Sequence, residues 1–482
     1  MNKNLQDDKI VLSNGGFIMG NNKLFGEEKI GKLLLRFSIP IIFSYLISEL
    51  YNMVDTIFVG REVGGAGIGA LVLVFPIQRI IVALSIMISV GASTALSRSN
   101  GKKDLEASRK VLKNGFTLSY MIMIPITLGI LLFGDKILIM FGASQSILPL
   151  AMEYLTYIIL GSVFLSLTLY ISDILIALGN SKVSIISTSI GAILNIIIDY
   201  VLVSKSGMGI KGAAIATTVS QIAGFIYAYY HYRKVQKEYK ISVGFELDKK
   251  IVLPIILVGL SAFIIEAEDG ILMAVLNNLL ATTVGDTGII VLGVISKVYM
   301  FLFICIFGIA AAMQPIAAFN VGAKNYKRLK LVMQKTSLYA FITSSVLWAL
   351  MMTFAPQLIK IFVTDIDVIT ESVKAFRIMI AVFPVVSIYY VSIFYFQARG
   401  KAKISILISV LRQLIIMIPV SIIMVKGFNL GATGVWLSYP ISDILASIAS
   451  YMMIRNEGME LNVAVKKQQI ERENISKEYI FQ

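Results

Sequence analysis

Long apolar runs, recurring at short intervals from Leu33 to Ile454, constrain this chain more than any other feature. Stretches such as Ile289–Val294 and Val410–Val425 lack the apolar–polar alternation of a membrane β-barrel, which excludes that fold. About 20 such residues in a helix span the ~30 Å of bilayer hydrocarbon, where only a helix or a closed barrel satisfies every backbone N–H and C=O. Of the 482 residues 57% are hydrophobic and 15% charged, more apolar surface than a soluble core of this length needs. The chain reads as an all-α integral membrane protein.

Gly, Pro and charged residues punctuate the runs into twelve expected transmembrane helices, near 33–59, 67–97, 112–133, 147–178, 183–203, 211–232, 251–279, 287–319, 331–354, 368–398, 402–425 and 431–454. Of the 43 Lys and Arg, 32 lie in or beside segments on the side shared by both termini, and only Arg61, Lys136, Lys205, Lys211, Lys360 and Lys426 lie on the other. The positive-inside rule then puts both termini in the cytoplasm. This bias accounts for the net charge of +14, and no nucleic-acid partner is expected, because the basic residues sit between apolar runs rather than on one soluble face. Residues 1–32 have no apolar core followed by a small-residue cleavage site, so no signal peptide is read there. Cys305 lies inside an apolar run and reads as a small core residue, and His231, among Tyr229, Tyr230 and Tyr232 at a helix end, reads as interfacial.

The second half echoes the first at an offset of 221 residues. Asn100-Gly101 pairs with Val321-Gly322, Phe133 with Phe354, and Ala177-Leu178-Gly179 with Ala398-Arg399-Gly400; after a one-residue slip, Gly209-Ile210-Lys211-Gly212 pairs with Gly431-Ala432-Thr433-Gly434. Six helices return the chain to its starting side, so the two six-helix bundles are expected to be related by a pseudo-twofold axis along the membrane normal, around a central cleft. The expected organisation is a cytoplasmic N-terminal segment (1–32), an N-terminal lobe (33–232), a charged cytoplasmic linker (233–250), a C-terminal lobe (251–454) and a cytoplasmic tail (455–482).

An ionised side chain at the bilayer centre costs at least ~2.5–3.5 kcal/mol, so each needs a partner or a task. The first helix carries Asp55 with Tyr51 one turn before it, the fifth carries Asn195 and Asp199 one turn apart, and the sixth supplies Thr217 and Thr218 in a run of small residues that admits close helix approach. Were Asp55, Asn195, Asp199 and Thr217 to converge, they would form an oxygen-rich anionic pocket suited to a hard cation; two carboxylates in a poorly solvated site also favour uptake of a proton. The competing reading is that these residues tie helices together. The seventh helix holds Glu266, Glu268 and Asp269, then Asn277 and Asn278. Helical spacing sets Glu266 and Asp269 on one face and turns Glu268 away. That face is either an anionic cleft wall for cationic substrates, joined by Gln78, Asn277 and Gln314, or a shallow segment near water. Lys297 is an expected partner for one of the carboxylates, and Arg79, Arg412 and Asp443 read as interhelical ties.

These residues resemble the multidrug and toxic compound extrusion (MATE) family, in its bacterial branch of DinF-like and MepA-like exporters. The resemblance runs over about 33–454. It rests on Pro40, Tyr51-Asn52-Met53-Val54-Asp55-Thr56 and Val59-Gly60 in the first helix, and on Gly91-Ala92-Ser93 through Ser97-Arg98 and Gly101 in the second. Asn195 and Asp199, then Gly308, Gln314-Pro315, Asn320 and Gly322-Ala323, and finally Phe396-Gln397-Ala398 with Gly400-Lys401 complete it. The resemblance implies an antiporter that exports organic, often cationic, compounds by alternating access while H⁺ or Na⁺ enters, with the cation site in the N-terminal half. Carried over by position, the coupling residues fall on Asp55, Tyr51, Asn195, Asp199 and Thr217, and Asp55, Asn195, Asp199 and Thr217 are the metal ligands if Na⁺ is the ion. The seventh helix departs from the branch, which commonly has an amide near Glu266 and fewer acids.

Two other functions share parts of this plan. A flippase of lipid-linked saccharides would favour a basic cleft for phosphate, whereas the buried charges here are mainly acidic. An intramembrane enzyme would need catalytic motifs, and none of His-Glu-x-x-His, Gly-x-Ser-x-Gly or a phosphate-cradling Gly-rich loop is present. A primary pump would need a nucleotide-binding domain, for which the segment after Arg455 is too short. The expectation is a non-enzymatic monomer in the bacterial cytoplasmic membrane. It would need no cofactor beyond the transported H⁺ or Na⁺, and its partners would be small organic substrates and the lipid bilayer.

Overall fold

A computed structural model of the chain describes residues 23–241 and 245–480. Among them there is no strand, and the chain runs through twelve helical spans. These are α1 (Ile30–Glu62), α2 (Gly65–Gly101), α3 (Leu105–Met140), α4 (Leu148–Ala177), α5 (Lys182–Lys205), α6 (Gly209–Glu238), α7 (Lys249–Thr283), α8 (Asp286–Gly322), α9 (Tyr326–Ile359), α10 (Ile366–Met379 and Phe383–Arg399), α11 (Ala402–Gly427) and α12 (Gly431–Ile480). Ten are long and apolar enough to cross a membrane, and α10 makes eleven if its two parts, bent by 46°, count as one. Pro384 in the break explains the bend, since it cannot donate to the preceding turn. The remaining span, α6, has the length but not the hydropathy, because small Gly, Ala and Thr residues and a basic, Tyr-rich end replace its large aliphatics. Side chains such as Leu132, Met140 and Ile361 stand more than two-thirds exposed, an apolar exterior suited to lipid rather than water.

The repeat expected from sequence recurs in the backbone. Lys103 and Lys324, Gly179 and Gly400, and Gly209 and Gly431 all take positive φ at equivalent positions. Asp104 caps α3 through the N–H of Ala107, and Asn325 caps α9 through that of Arg328. Both α5 and α11 end in a π-helical turn, at Tyr200–Lys205 and Ile423–Gly427. A Cβ on Gly212 would stand 3.1 Å from the Leu202 carbonyl carbon, and one on Gly434 would stand 2.9 Å from that of Met424. Glycine at these two positions lets the following helix lie against the π turn.

Two compact units emerge, and they do not follow the expected boundaries at 232 and 251. Unit 1 holds Leu35–Asn100 and Asp104–Gly270, and unit 2 holds Phe25–Leu34, Gly101–Lys103 and the chain from Ile271. The first part of α7 belongs to unit 1 because glycines press it onto α2: a Cβ on Gly259 would collide with the Met87 carbonyl, and one on Gly91 with that of Ile255. The interior of unit 1 also includes Leu112, Tyr170, Ile174 and Tyr232, with His231 between the rings of Tyr227 and Tyr230. The linker is shorter than expected, since α6 runs to Glu238 and α7 starts at Lys249; residues 242–244 lie outside the described ones. The remainder is docked, with Glu246 on Lys113 at 2.8 Å and the Asp248 N–H on Asn114 at 2.6 Å.

In unit 2, rings of Tyr299, Phe303, Phe383, Tyr389 and Tyr390 pack edge to face. The segment expected as a tail continues α12 to Ile480. Its sequence is rich in helix formers without proline, and Glu457 anchors it to Arg399 at 2.8 Å and Lys401 at 2.5 Å beside the α10–α11 turn.

Candidate functional site

Unit 1 brings together residues from α1, α4, α5 and α6. Asp55 of α1 is 6% exposed and Asp199, at the α5 junction with its π turn, is fully buried. Their carboxyl groups lie within hydrogen-bonding reach of one another. Tyr154 of α4 donates to Asp55 Oδ2 at 3.5 Å and is itself within reach of Gln78. One turn before Asp199, Asn195 donates through Nδ2 to the Thr217 hydroxyl at 3.2 Å. Asp55 Oδ1, Asn195 Oδ1 and both oxygens of Asp199 meet no hydrogen-bond donor among the described residues. Such buried acceptors carry the full desolvation penalty, so the geometry presents oxygen without hydrogen, as a site for a small cation does. No cluster of three or more His, Cys, Asp or Glu suited to a metal occurs among the described residues; the oxygens of the pocket come instead from two acids, an amide and a hydroxyl. Tyr51 lies within electrostatic reach of Asp55 and within hydrogen-bonding reach of Ser48.

A second polar group lies elsewhere in unit 1. Arg79 of α2 reaches Glu266 of α7 at 3.4 Å and Glu49 of α1 at 3.9 Å, with its guanidinium 5.1 Å from the Phe75 ring centre. The partner of Glu266 is thus Arg79, a tie as expected for that arginine, and not Lys297, whose side chain is exposed. Ser89 of α2 donates to Asp173 of α4 at 2.6 Å, and Tyr45 of α1 lies within electrostatic reach of both Asp173 and Glu266.

The other candidates scatter. Glu266 and Asp269 share a face of α7 as expected, close enough to interact electrostatically, with Asp269 exposed, while Glu268 turns away from them and is buried. Helical phase is the reason, because Ile265, Glu268 and Leu272 share the buried stripe of α7. Asn277 is half-buried in unit 2. Gln314 lies in the interior of unit 2, where its amide donates to Gln397 at 2.6 Å, rather than on a wall open to substrate. Tyr154, Glu49 and Asp173 are absent from the residues that sequence reasoning selects. For the two acids the signal was available, since the burial penalty applied to Asp55 applies to them equally; for Tyr154, one tyrosine among many, no signal was present.

At equivalent repeat positions unit 2 carries Leu276 for Asp55, Met417 for Asn195, Ser421 for Asp199 and Tyr439 for Thr217. Its buried charges are instead closed on themselves: Arg412 donates to Asp443 at 2.7 Å, to Tyr299 at 2.8 Å and to Tyr390 at 3.4 Å. The open acid pair is a property of unit 1 alone among the described residues.

Comparison with known proteins agrees with this architecture. A family model described as MatE matches residues 40–201 and 271–423. The multidrug export protein MepA of Staphylococcus aureus (strain NCTC 8325 / PS 47) is 27% identical over 439 residues, covering 89% of this chain and 94% of that protein. Among solved structures, a crystal structure of MATE in complex with MaL6 superposes with a TM-score of 0.86 at 25% identity, covering 92% of this chain and 99% of the other. An outward-facing multidrug resistance MATE transporter of the MOP superfamily superposes equally well, over 92% and 98%.

Proposed function

Because the chain belongs to the MatE family, we propose that it is a multidrug exporter of the bacterial cytoplasmic membrane, driven by H⁺ or Na⁺ entering through the Asp55–Asp199 pocket of unit 1. The observation that carries this reading is the pair itself: two carboxyls from different helices, within reach of each other, with three of their four oxygens lacking a donor among the described residues. Two unit charges 4 Å apart repel by about 4 kcal/mol at an effective dielectric near 20, more than one long bond from Tyr154 offsets. The pair therefore holds a positive charge between its oxygens. A shared proton satisfies it, and so does Na⁺ with the Asn195 and Thr217 oxygens as further ligands.

Loading and unloading this charge changes the packing of α1 against α5 and α6. Export follows if cation and substrate have different affinities for two access states, for which a few kcal/mol suffices. The excess of Lys and Arg on one side supports cytoplasmic termini, and the working form is taken as a monomer. A flippase finds less support, since the buried charges of unit 1 are mainly carboxylates.

The test is efflux of a fluorescent organic cation from vesicles with H⁺ and Na⁺ gradients imposed separately. Wild-type protein should respond to one gradient, and Asp55→Asn and Asp199→Asn should each lower gradient-driven efflux at least tenfold. Unchanged efflux in both variants would remove the coupling role.

A further inference from the structure

Asp173 is a membrane-embedded carboxylate that the coupling scheme does not use. Three other carboxylates among the described residues are neutralised by a fixed base: Asp443 by Arg412, Glu457 by Arg399 and Lys401, Glu266 by Arg79. Asp173 differs. Among the described residues no Lys, Arg or His nitrogen forms an ion pair with it, and its bonding partner is the Ser89 hydroxyl at 2.6 Å. A hydroxyl stabilises a carboxylate but does not cancel its charge, so half-buried Asp173 is left to a proton or another mobile cation for neutralisation.

The order of residues along α1 places Asp173 relative to the coupling pair. Tyr45, within electrostatic reach of Asp173, comes first; Glu49, sharing Arg79 with Glu266, lies one turn on; Asp55 follows, ten residues and about 15 Å from Tyr45. Acidic groups thus succeed one another through unit 1 and end at Asp199, whose fully buried oxygens meet no donor among the described residues. The middle group already holds an organic cation, the Arg79 guanidinium, against two carboxylates and the face of Phe75.

From this arrangement we infer that Asp173 is a specificity-determining residue, supplying the first negative charge that the head of an organic cation meets on its way from the N-terminal end of α1 toward Asp55. The inference rests on the export reading above and names its substrate class. One carboxylate, one hydroxyl and a tyrosine are too few oxygens to replace the shell of a hydrated metal ion, but they suit a large, weakly hydrated cation.

The test measures binding of tetraphenylphosphonium to purified protein and its gradient-driven efflux from proteoliposomes. Asp173→Asn should weaken binding and raise KM at least tenfold with kcat within twofold, and Asp173→Glu should recover most of the affinity. Ser89→Ala, which keeps the charge but frees its orientation, should weaken binding a few-fold and guards against a folding defect in the first variant. Affinity in Asp173→Asn within twofold of wild type overturns the inference. Loss of kcat with affinity intact overturns it too, since that would make Asp173 a carrier of the coupling ion, and so would failure of the wild type to bind tetraphenylphosphonium. The export reading is judged separately: it falls if no gradient drives efflux from the wild type, whatever the binding results.

Discussion

A buried charge in this protein has one of two fates, and the difference shows at single residues. Arg412 spends every nitrogen on Asp443, Tyr299 and Tyr390, and so ties α8, α10, α11 and α12 at one point of unit 2. Removing one member of such a pair strands the other in low dielectric, whereas replacing both by apolar groups does not. Arg412→Met should therefore cost about 3–5 kcal/mol, read as a lower unfolding temperature in detergent, while adding Asp443→Leu to it should restore most of that loss. Among the described residues no basic group pairs with Asp55, Asp199 or Asp173, which is the contrast on which the proposed exchange role rests.

At the scale of elements, the close contact of α7 with α2 depends on glycine. A Cβ at position 259 would run into the Met87 carbonyl, a backbone atom that cannot rotate away, whereas one at Gly270 of the same helix would meet nothing. Gly259→Ala should thus pry α7 from α2 and sharply lower the yield of folded protein, and Gly270→Ala should leave the unfolding temperature unchanged or raise it slightly, by the helix propensity gained; fluorescence-detected size exclusion after heating would separate the two. The bend of α10 and the π turns of α5 and α11 are likewise local departures from regular helix, and in the last two a facing glycine accommodates the altered backbone.

Across the whole molecule, two units with matching caps, turns and glycines carry different chemistry. Duplication explains the matched backbone, because both copies must satisfy every peptide group inside lipid; the side chains inside were free to diverge. Topology is the prediction that belongs at this scale. With Cys305 replaced by Ser, a membrane-impermeant maleimide applied to intact cells should label Lys136→Cys and spare Lys466→Cys until the membrane is opened. The reverse pattern would invert the orientation, and with it the direction of transport.

By itself the sequence determined the membrane class, the twelve helices, the repeat and the unusual acids Asp55 and Asp199, because apolar runs, caps and buried charges are written in neighbouring residues and act locally. Only the tertiary structure decided that Glu266 belongs to Arg79, that Glu268 rather than Asp269 turns inward, that Gln314 is spent on Gln397 and that α7 divides between the units. It alone joined Tyr154 to Asp55 and Ser89 to Asp173. Those outcomes depend on helical phase and on which faces meet across tens or hundreds of residues, and local pattern carries no record of that choice.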